Sequence, residues 1–387
     1  MTSVCVHDVA TAGRARIFVV AAEPGDRRGQ LLAVKLRAEL RLIMAGAPTP
    51  LDLDVELDLA DPAAAKVVAR GTLRELGDLA LTTTVAVPAR PFDPAAHHWT
   101  KMAYRRGDVR DPDALAEAFD GADVVVHLAF MITGSASREA IRAINIDGTL
   151  NAFRAAAAAG AKRFVYASSV AAYGFHHDNP TPMTEEWPVR PANRLFYAQE
   201  KAELEHLIAE EAAAHPDLAL YLLRPPIVVG PHTLGAKELP GLVAALGRVG
   251  TAALDRVSVP LPIPVPTIPM QLIHETDVGT ALVRCIVGAG PPGAYNIAGD
   301  GVVTGADFVR ELGLTPVPIP GVVARTVARG LTALPGSSLL PPITDWVEAV
   351  AQPSIVDTTK ARELLGWTPR YNSLEALRAT VHPDAEP

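Results

Sequence analysis

The sequence predicts an α/β protein built on a doubly wound parallel sheet with a smaller region at its C-terminus. Short, continuous β-branched runs alternate with longer stretches of helical periodicity, which is the pattern of strands buried on both faces between helices. After Pro225 the texture changes. Proline crowds "VPLPIPVPTIP" (Val259–Pro269) and the helical stretches shorten. That segment is expected to cover the C-terminal edge of the sheet, where open α/β folds bind ligands.

The elements follow in order. Arg16–Ala22 reads as the first strand and Gly29–Met44 as a helix. Leu53–Leu59 reads as a strand, Pro62–Leu76 as a helix and Leu81–Val87 as a strand. Further strands are expected at Ala103–Arg106, Val124–Leu128, Arg163–Ala167 and Ala219–Arg224. Helices are expected at Asp113–Phe119, Ser137–Ala159 and Phe196–His215. The tract "AAAAAG" (Ala155–Gly160) is a helix end with a glycine stop. Residues 1–225 are then a Rossmann-like dinucleotide-binding domain whose first 84 residues are atypical and extended. Residues 226–387 are mainly a substrate-binding region, with 271–300 returning to the core.

Composition narrows the function. A chain of 387 residues buries a sizeable core. Its net charge of −8 argues against nucleic acid as the main partner, because phosphate binding wants a basic face. Cys5 and Cys285 make neither a disulfide framework nor a zinc set and fit a reducing cytoplasm. Met1–Arg16 lacks the basic start and apolar core of a secretory signal, and no apolar run is long enough to span a membrane. A cytoplasmic protein is expected. The histidine pairs in "AHHW" (Ala96–Trp99) and "FHHD" (Phe175–Asp178) have no accompanying ligand set at metal spacing, so no metal is expected.

The chemistry concentrates in "YAQEK", Tyr197 to Lys201. Residues four apart on a helix share a face, and a nearby ammonium lowers a phenol's pKa. Such a phenol serves as general acid or base near neutrality. The plainer alternative is an exposed Tyr/Lys pair on an amphipathic helix. Upstream, "RFVYASSVAAYG" is a strand ending in Ser168 and Ser169, at the ligand edge of a parallel sheet. Helix capping is the plainer role for those serines. "GDVRD" (Gly107–Asp111) follows one strand, "VVVHLAF" (Val124–Phe130) forms the next, and "NIDGT" (Asn145–Thr149) lies within a helix. The helix "EKAELEHLIAEE" reads as a solvated face beyond Lys201.

With these pieces in place, the chain from about Val85 onward resembles the extended short-chain dehydrogenase/reductase, or NAD-dependent epimerase/dehydratase, family. "LRPPIVVGP" (Leu223–Pro231), "LIHETDVGTAL" (Leu272–Leu282), "YNIAGDG" (Tyr295–Gly301) and "DTTKARELLGWTPRY" (Asp357–Tyr371) continue the likeness in order. The resemblance implies a catalytic set of Ser169, Tyr197 and Lys201. Tyr197 exchanges a proton; Lys201 lowers its pKa and holds the nicotinamide ribose. It also implies that Asp108 and Val109 flank the adenine and that Leu128 and Ala129 let the cofactor pass close to the backbone. Asn145 supports the site from its helix, and Ser168 lies with the cofactor contacts. A homodimer through helices is implied as well.

That family carries G-x-x-G-x-x-G after its first strand, so that a pyrophosphate can approach the backbone at a helix N-terminus. Aligned without gaps, this chain has Ala22, Gly25 and Arg28 there, with Gly29 one residue late. Gly25 alone keeps its place in a diverged cofactor turn. Ile17–Leu81 also faintly resembles the nucleotide-binding half of malate dehydrogenases. On that register Asp58 or Asp61 meets the adenosine ribose and implies NAD. On the short-chain register Arg90 follows the second strand and implies NADP. The cofactor is expected to be NAD or NADP.

The function expected is an NAD(P)-dependent oxidoreductase or epimerase/dehydratase with Tyr197 as acid/base. Nucleotide-sugar members carry Asn where Ile227 stands, so a small or apolar hydroxyl or carbonyl compound is favoured over a nucleotide sugar. A non-catalytic dinucleotide sensor or scaffold is the alternative of another class.

Overall fold

The computed structural model describes residues 106–131, 137–231, 262–319 and 352–382, together with short upstream strands. Five of these precede residue 106: β1 (Val4–Cys5), β2 (Ile17–Val20), β3 (Arg37–Glu39), β4 (Leu53–Asp58) and β5 (Lys66–Gly71). Then come β6 (Arg106–Gly107), α1 (Pro112–Phe119), β7 (Val124–His127), α2 (Arg138–Arg142), a π-turn (Ala143–Asp147) and α3 (Gly148–Ala158). After β8 (Arg163–Ala167) follow a 3₁₀ turn (Val170–Tyr173), α4 (Phe196–Ala214), β9 (Ala219–Arg224) and β10 (Ile227–Val229). The remainder contains β11 (Pro262–Pro266), β12 (Leu272–His274), α5 (Glu275–Val287), β13 (Gly293–Asn296), α6 (Gly305–Glu311), β14 (Thr315–Ile319), α7 (Thr359–Leu365) and α8 (Ser373–Val381).

The central sheet has the order β13-β9-β8-β7-β2, parallel throughout. Ile17 pairs with Val124, so the first predicted strand joins this sheet. Alternation along the strands assigns the faces. Val125, Phe164, Tyr166 and Leu222 share one core cluster with Phe153 of α3 and Leu204 and Ile208 of α4. On the other side α5 lies against β8 and β9, and the intervening Tyr221 donates to the Gly290 carbonyl just beyond that helix at 2.8 Å. With both faces covered, every residue of β7 is buried. Helix starts follow their capping residues. Asp111 caps α1 by accepting from the Asp113 and Ala114 amides, with Pro112 at the first helical position.

The N-terminal region departs from the sequence-based expectation. Gly29–Met44 and Pro62–Leu76 were expected to be helical, but Arg37–Glu39 and Lys66–Gly71 are strands. They flank Leu53–Asp58 in a three-stranded antiparallel sheet. The run "LDVELD" alternates apolar and acidic residues, and "KVVARG" carries adjacent β-branched valines. Both patterns suit ladder pairing better than a helix. Gly25, Gly29, Arg28, Arg90 and the strand expected at Leu81–Val87 lie outside the described residues.

Beyond β9, β10 pairs in parallel with β12, and β11 with β14. Asp277 ties two distant motifs together. Its carboxylate accepts from the Arg370 amide at 2.8 Å and the Tyr371 amide at 3.1 Å. Its carbonyl accepts from the Trp367 indole at 3.0 Å, and His274 stacks on Tyr371 with ring centroids 4.1 Å apart.

Candidate active site

β8 ends at Ala167, and the chain turns through Ser168 and Ser169 at the C-terminal edge of the sheet. Ser169 caps the 3₁₀ turn: its Oγ accepts from the Ala171 amide at 3.1 Å and donates to the Pro225 carbonyl at 3.4 Å. Its hydroxyl also reaches the Tyr197 phenol, which stands in the first turn of α4. The capping role expected of Ser169 therefore coexists with its contact to Tyr197.

Tyr197 is half-buried. Burial pushes its pKa up, and the hydrogen bond with Ser169 pulls the other way. Its ring meets Phe130 edge to face at 5.5 Å. The expectation that Lys201 pulls this phenol down is not met, because Lys201 points deeper. Its Nζ donates to the Tyr166 hydroxyl at 2.9 Å and the Ala167 carbonyl at 2.7 Å. It lies 3.9 Å from the Phe130 ring centroid, 4.6 Å from that of Tyr166 and 5.9 Å from that of Tyr197. Burial lowers the Lys201 pKa to about 7, against the opposing pull of Glu205 and Glu200.

Asn145 lies in the π-turn between α2 and α3, a helix irregularity common at functional sites. Its side-chain oxygen accepts from the Met131 amide at 2.7 Å, and its Nδ2 donates to the Met131 carbonyl at 2.9 Å and to Glu200 at 2.8 Å. The loop holding Leu128 and Ala129 is thereby tied to α4. Beneath it, buried His127 bonds to Thr149 at 3.0 Å, and burial lowers its pKa to about 3. Asp108 forms a fork with Arg110, and Val109 is fully buried against Gly148.

The predicted solvated face of α4 is corrected. Glu200 and Glu205 are buried. Glu205 accepts from Ser168 and from the Arg224 guanidinium, which bonds in turn to the Tyr173 hydroxyl at 2.7 Å; Tyr173 donates to Asn296 at 2.8 Å. The reason is position. Tyr197, Lys201 and Glu205 fall at successive intervals of four on one helical face, which lies on the sheet. Arg224 inside "LYLLRPP" was the available signal, since a charged residue ending a buried strand needs a carboxylate partner. Phe130 and Tyr166 carry no such local signal.

Two serine hydroxyls, a buried ammonium and the backbone of the loop after β7 thus gather along one sheet edge. These are groups that bind sugar hydroxyls and a carboxamide, and they fit a nicotinamide dinucleotide. No helix among the described residues is long and apolar enough to cross a membrane.

Comparison with known proteins agrees. The model of the NAD dependent epimerase/dehydratase family matches residues 69–298, more than half of the chain. An uncharacterized protein of Mycobacterium tuberculosis is 27% identical over 290 residues, covering 72% of this chain and 70% of that protein. UDP-glucose 4-epimerase 2 of Oryza sativa is 32% identical over 146 residues, covering 36% of this chain and 35% of that protein. The fold is shared with the Bordetella bronchiseptica enzyme WbmG solved with NAD, at a TM-score of 0.52 and 18% identity over 72% of this chain and 78% of that one. The chain belongs to the NAD dependent epimerase/dehydratase family, the extended short-chain dehydrogenase/reductase enzymes.

Proposed function

We propose that this enzyme uses Tyr197 as its proton-transferring acid/base, with Ser169 and Lys201 as partners, on a small or apolar hydroxyl or carbonyl compound. The observation that carries the reading is the Ser169–Tyr197 hydrogen bond at the ligand edge, with Lys201 one helical turn on. When bound, NAD or NADP supplies the hydride acceptor or donor. Tyr197 takes or returns the proton at its phenolic oxygen. Ser169 orients the substrate oxygen towards that phenol. Lys201 holds the nicotinamide ribose, its ammonium seated on Tyr166 and the Ala167 carbonyl beneath the site. Asn145 holds the backbone of Leu128–Met131 for the cofactor, and Asp108 and Val109 flank the adenine. Residues 1–225 with 271–300 serve the dinucleotide, and the rest of 226–387 serves the substrate. In support, β13 pairs with β9 in the central sheet and α5 lies against β8 and β9, whereas β11 and β14 form a pair apart from that sheet.

The substrate class rests on what surrounds Tyr197. Phe175, Ala192 and Leu195 pack with it into an apolar cluster, and Phe130 closes its ring edge. Ile227, 46% exposed, offers no hydrogen bond where nucleotide-sugar members carry Asn. The names of several relatives favour the rival reading, a nucleotide sugar. The deciding experiment screens NAD- and NADP-linked turnover over secondary alcohols and ketones alongside UDP-sugars. Turnover of the alcohols or ketones supports the reading; turnover of UDP-sugars alone overturns its substrate half.

A further inference from the structure

We propose that Tyr166 is a positioning residue that anchors and orients the Lys201 ammonium beneath the site. The inference rests on the reading of Lys201 as the residue that holds the dinucleotide ribose, and it adds what fixes that lysine.

Tyr166 stands on β8, on the sheet face that packs against α3 and α4. It is 1% exposed, and its strand neighbours Phe164 and Val165 are apolar. A phenylalanine would fill this place equally well as core. The hydroxyl is therefore the feature needing a reason, because a buried hydroxyl is costly unless it is bonded. Its partner is Lys201, at 2.9 Å. An ammonium has three donors, and two are committed to the Tyr166 oxygen and the Ala167 carbonyl. Phe130 offers its ring face to the same charge at 3.9 Å.

The other groups around Lys201 do not replace this contact. His127 on β7 is held neutral by burial, with the lysine's own charge adding to the effect. On α4, Glu200 and Glu205 act on Lys201 through their charge, while their oxygens are bonded to Asn145, Ser168 and Arg224. Tyr197 bonds to Ser169 and lies further away. Among the described residues the direct acceptors are a backbone carbonyl that no side-chain substitution removes and one phenol that Tyr166→Phe does. Without the phenol oxygen the charged ammonium loses stabilisation, while the aromatic wall remains.

The test follows the lysine itself. In dinucleotide-free protein labelled at lysine Cε, carbon NMR reports the Lys201 titration, and the signal is assigned by its loss in Lys201→Met. Tyr166→Phe is expected to lower the midpoint by about half a pH unit or more, since removing an acceptor disfavours the charged form. Tyr173→Phe removes a buried phenol bonded to Arg224 and is expected to leave the midpoint in place. A second arm measures NADH and NADPH binding by fluorescence between pH 6 and 9. Tyr166→Phe is expected to weaken the better ligand several-fold at pH 7.5 and to move its pH dependence down with the NMR midpoint. An unmoved midpoint in Tyr166→Phe, or an equal shift in Tyr173→Phe, overturns the proposal. Unchanged binding in Lys201→Met overturns instead the reading of Lys201 as a cofactor residue, and the NMR arm still decides what anchors it.

Discussion

Arg224, at the end of a central strand, forms a buried ion pair with Glu205 of α4, and both side chains are less than a tenth exposed. The pair joins helix to sheet directly below Ser168, which bonds to the same carboxylate. Breaking it from one side leaves an uncompensated buried charge, which typically costs about 3–5 kcal/mol. Glu205→Leu is therefore expected to lower stability by about that amount in urea unfolding. Glu205→Leu combined with Arg224→Met is expected to recover much of the loss. A single variant as stable as the parent would remove the pair from the account.

Tyr197→Phe tests the chemistry. The ring keeps its edge contact with Phe130, and only the proton-bearing oxygen goes. Turnover on whichever substrate the screen identifies is expected to fall by about 10²–10⁴. Binding of NADH or NADPH should change by no more than a few fold. Undiminished turnover would remove Tyr197 from the acid/base role.

Gly148 opens α3 directly behind Val109. A Cβ on Gly148 would stand 2.4 Å from Val109 Cγ2 and 2.9 Å from its Cβ, closer than packed carbons approach. Val109 is fully buried and cannot simply swing away. Gly148→Ala is expected to destabilise by about 1–3 kcal/mol through overpacking. Val109→Ala in the same chain is expected to restore part of that loss by opening the space. The thermal midpoints of the single and double variants check this, and lack of rescue would mean that the strain lies elsewhere.

His127 predicts an acid sensitivity. Burial foremost, and then the Lys201 charge, lower its pKa from 6.5 to about 3. Between these values the unfolded chain holds a proton that the folded chain does not. Stability contributed by neutral His127 is therefore present above pH 6.5 and is lost as pH falls towards 3. Between pH 7 and pH 5 the loss from this group is about 2 kcal/mol. His127→Gln retains a partner for Thr149 and does not titrate. Its urea midpoint is expected to fall less than the parent's over that range, and parallel curves would rule the effect out.

The sequence alone carried the parallel sheet, its strands at Arg163–Ala167 and Ala219–Arg224, the long helix from Phe196, and the family. These are written in local periodicity and in short motifs whose residues stand close along the chain. The proposal of Ser169, Tyr197 and Lys201 as a site draws on motifs of the same local kind. The antiparallel sheet of Arg37–Gly71 was not, because short apolar runs suit a helix or a strand equally until a ladder partner is known. Nor was the turning of Lys201 away from the phenol of Tyr197 and towards Tyr166, or the burial of Glu205 against Arg224. Each of those depends on which strand lies beneath α4, and thus on contacts between residues 19 and 35 positions apart. Arg224, ending an apolar strand, signals that a carboxylate is needed, but nothing local to α4 marks Glu205 as the one; packing α4 onto the sheet removes water from it and makes the pair.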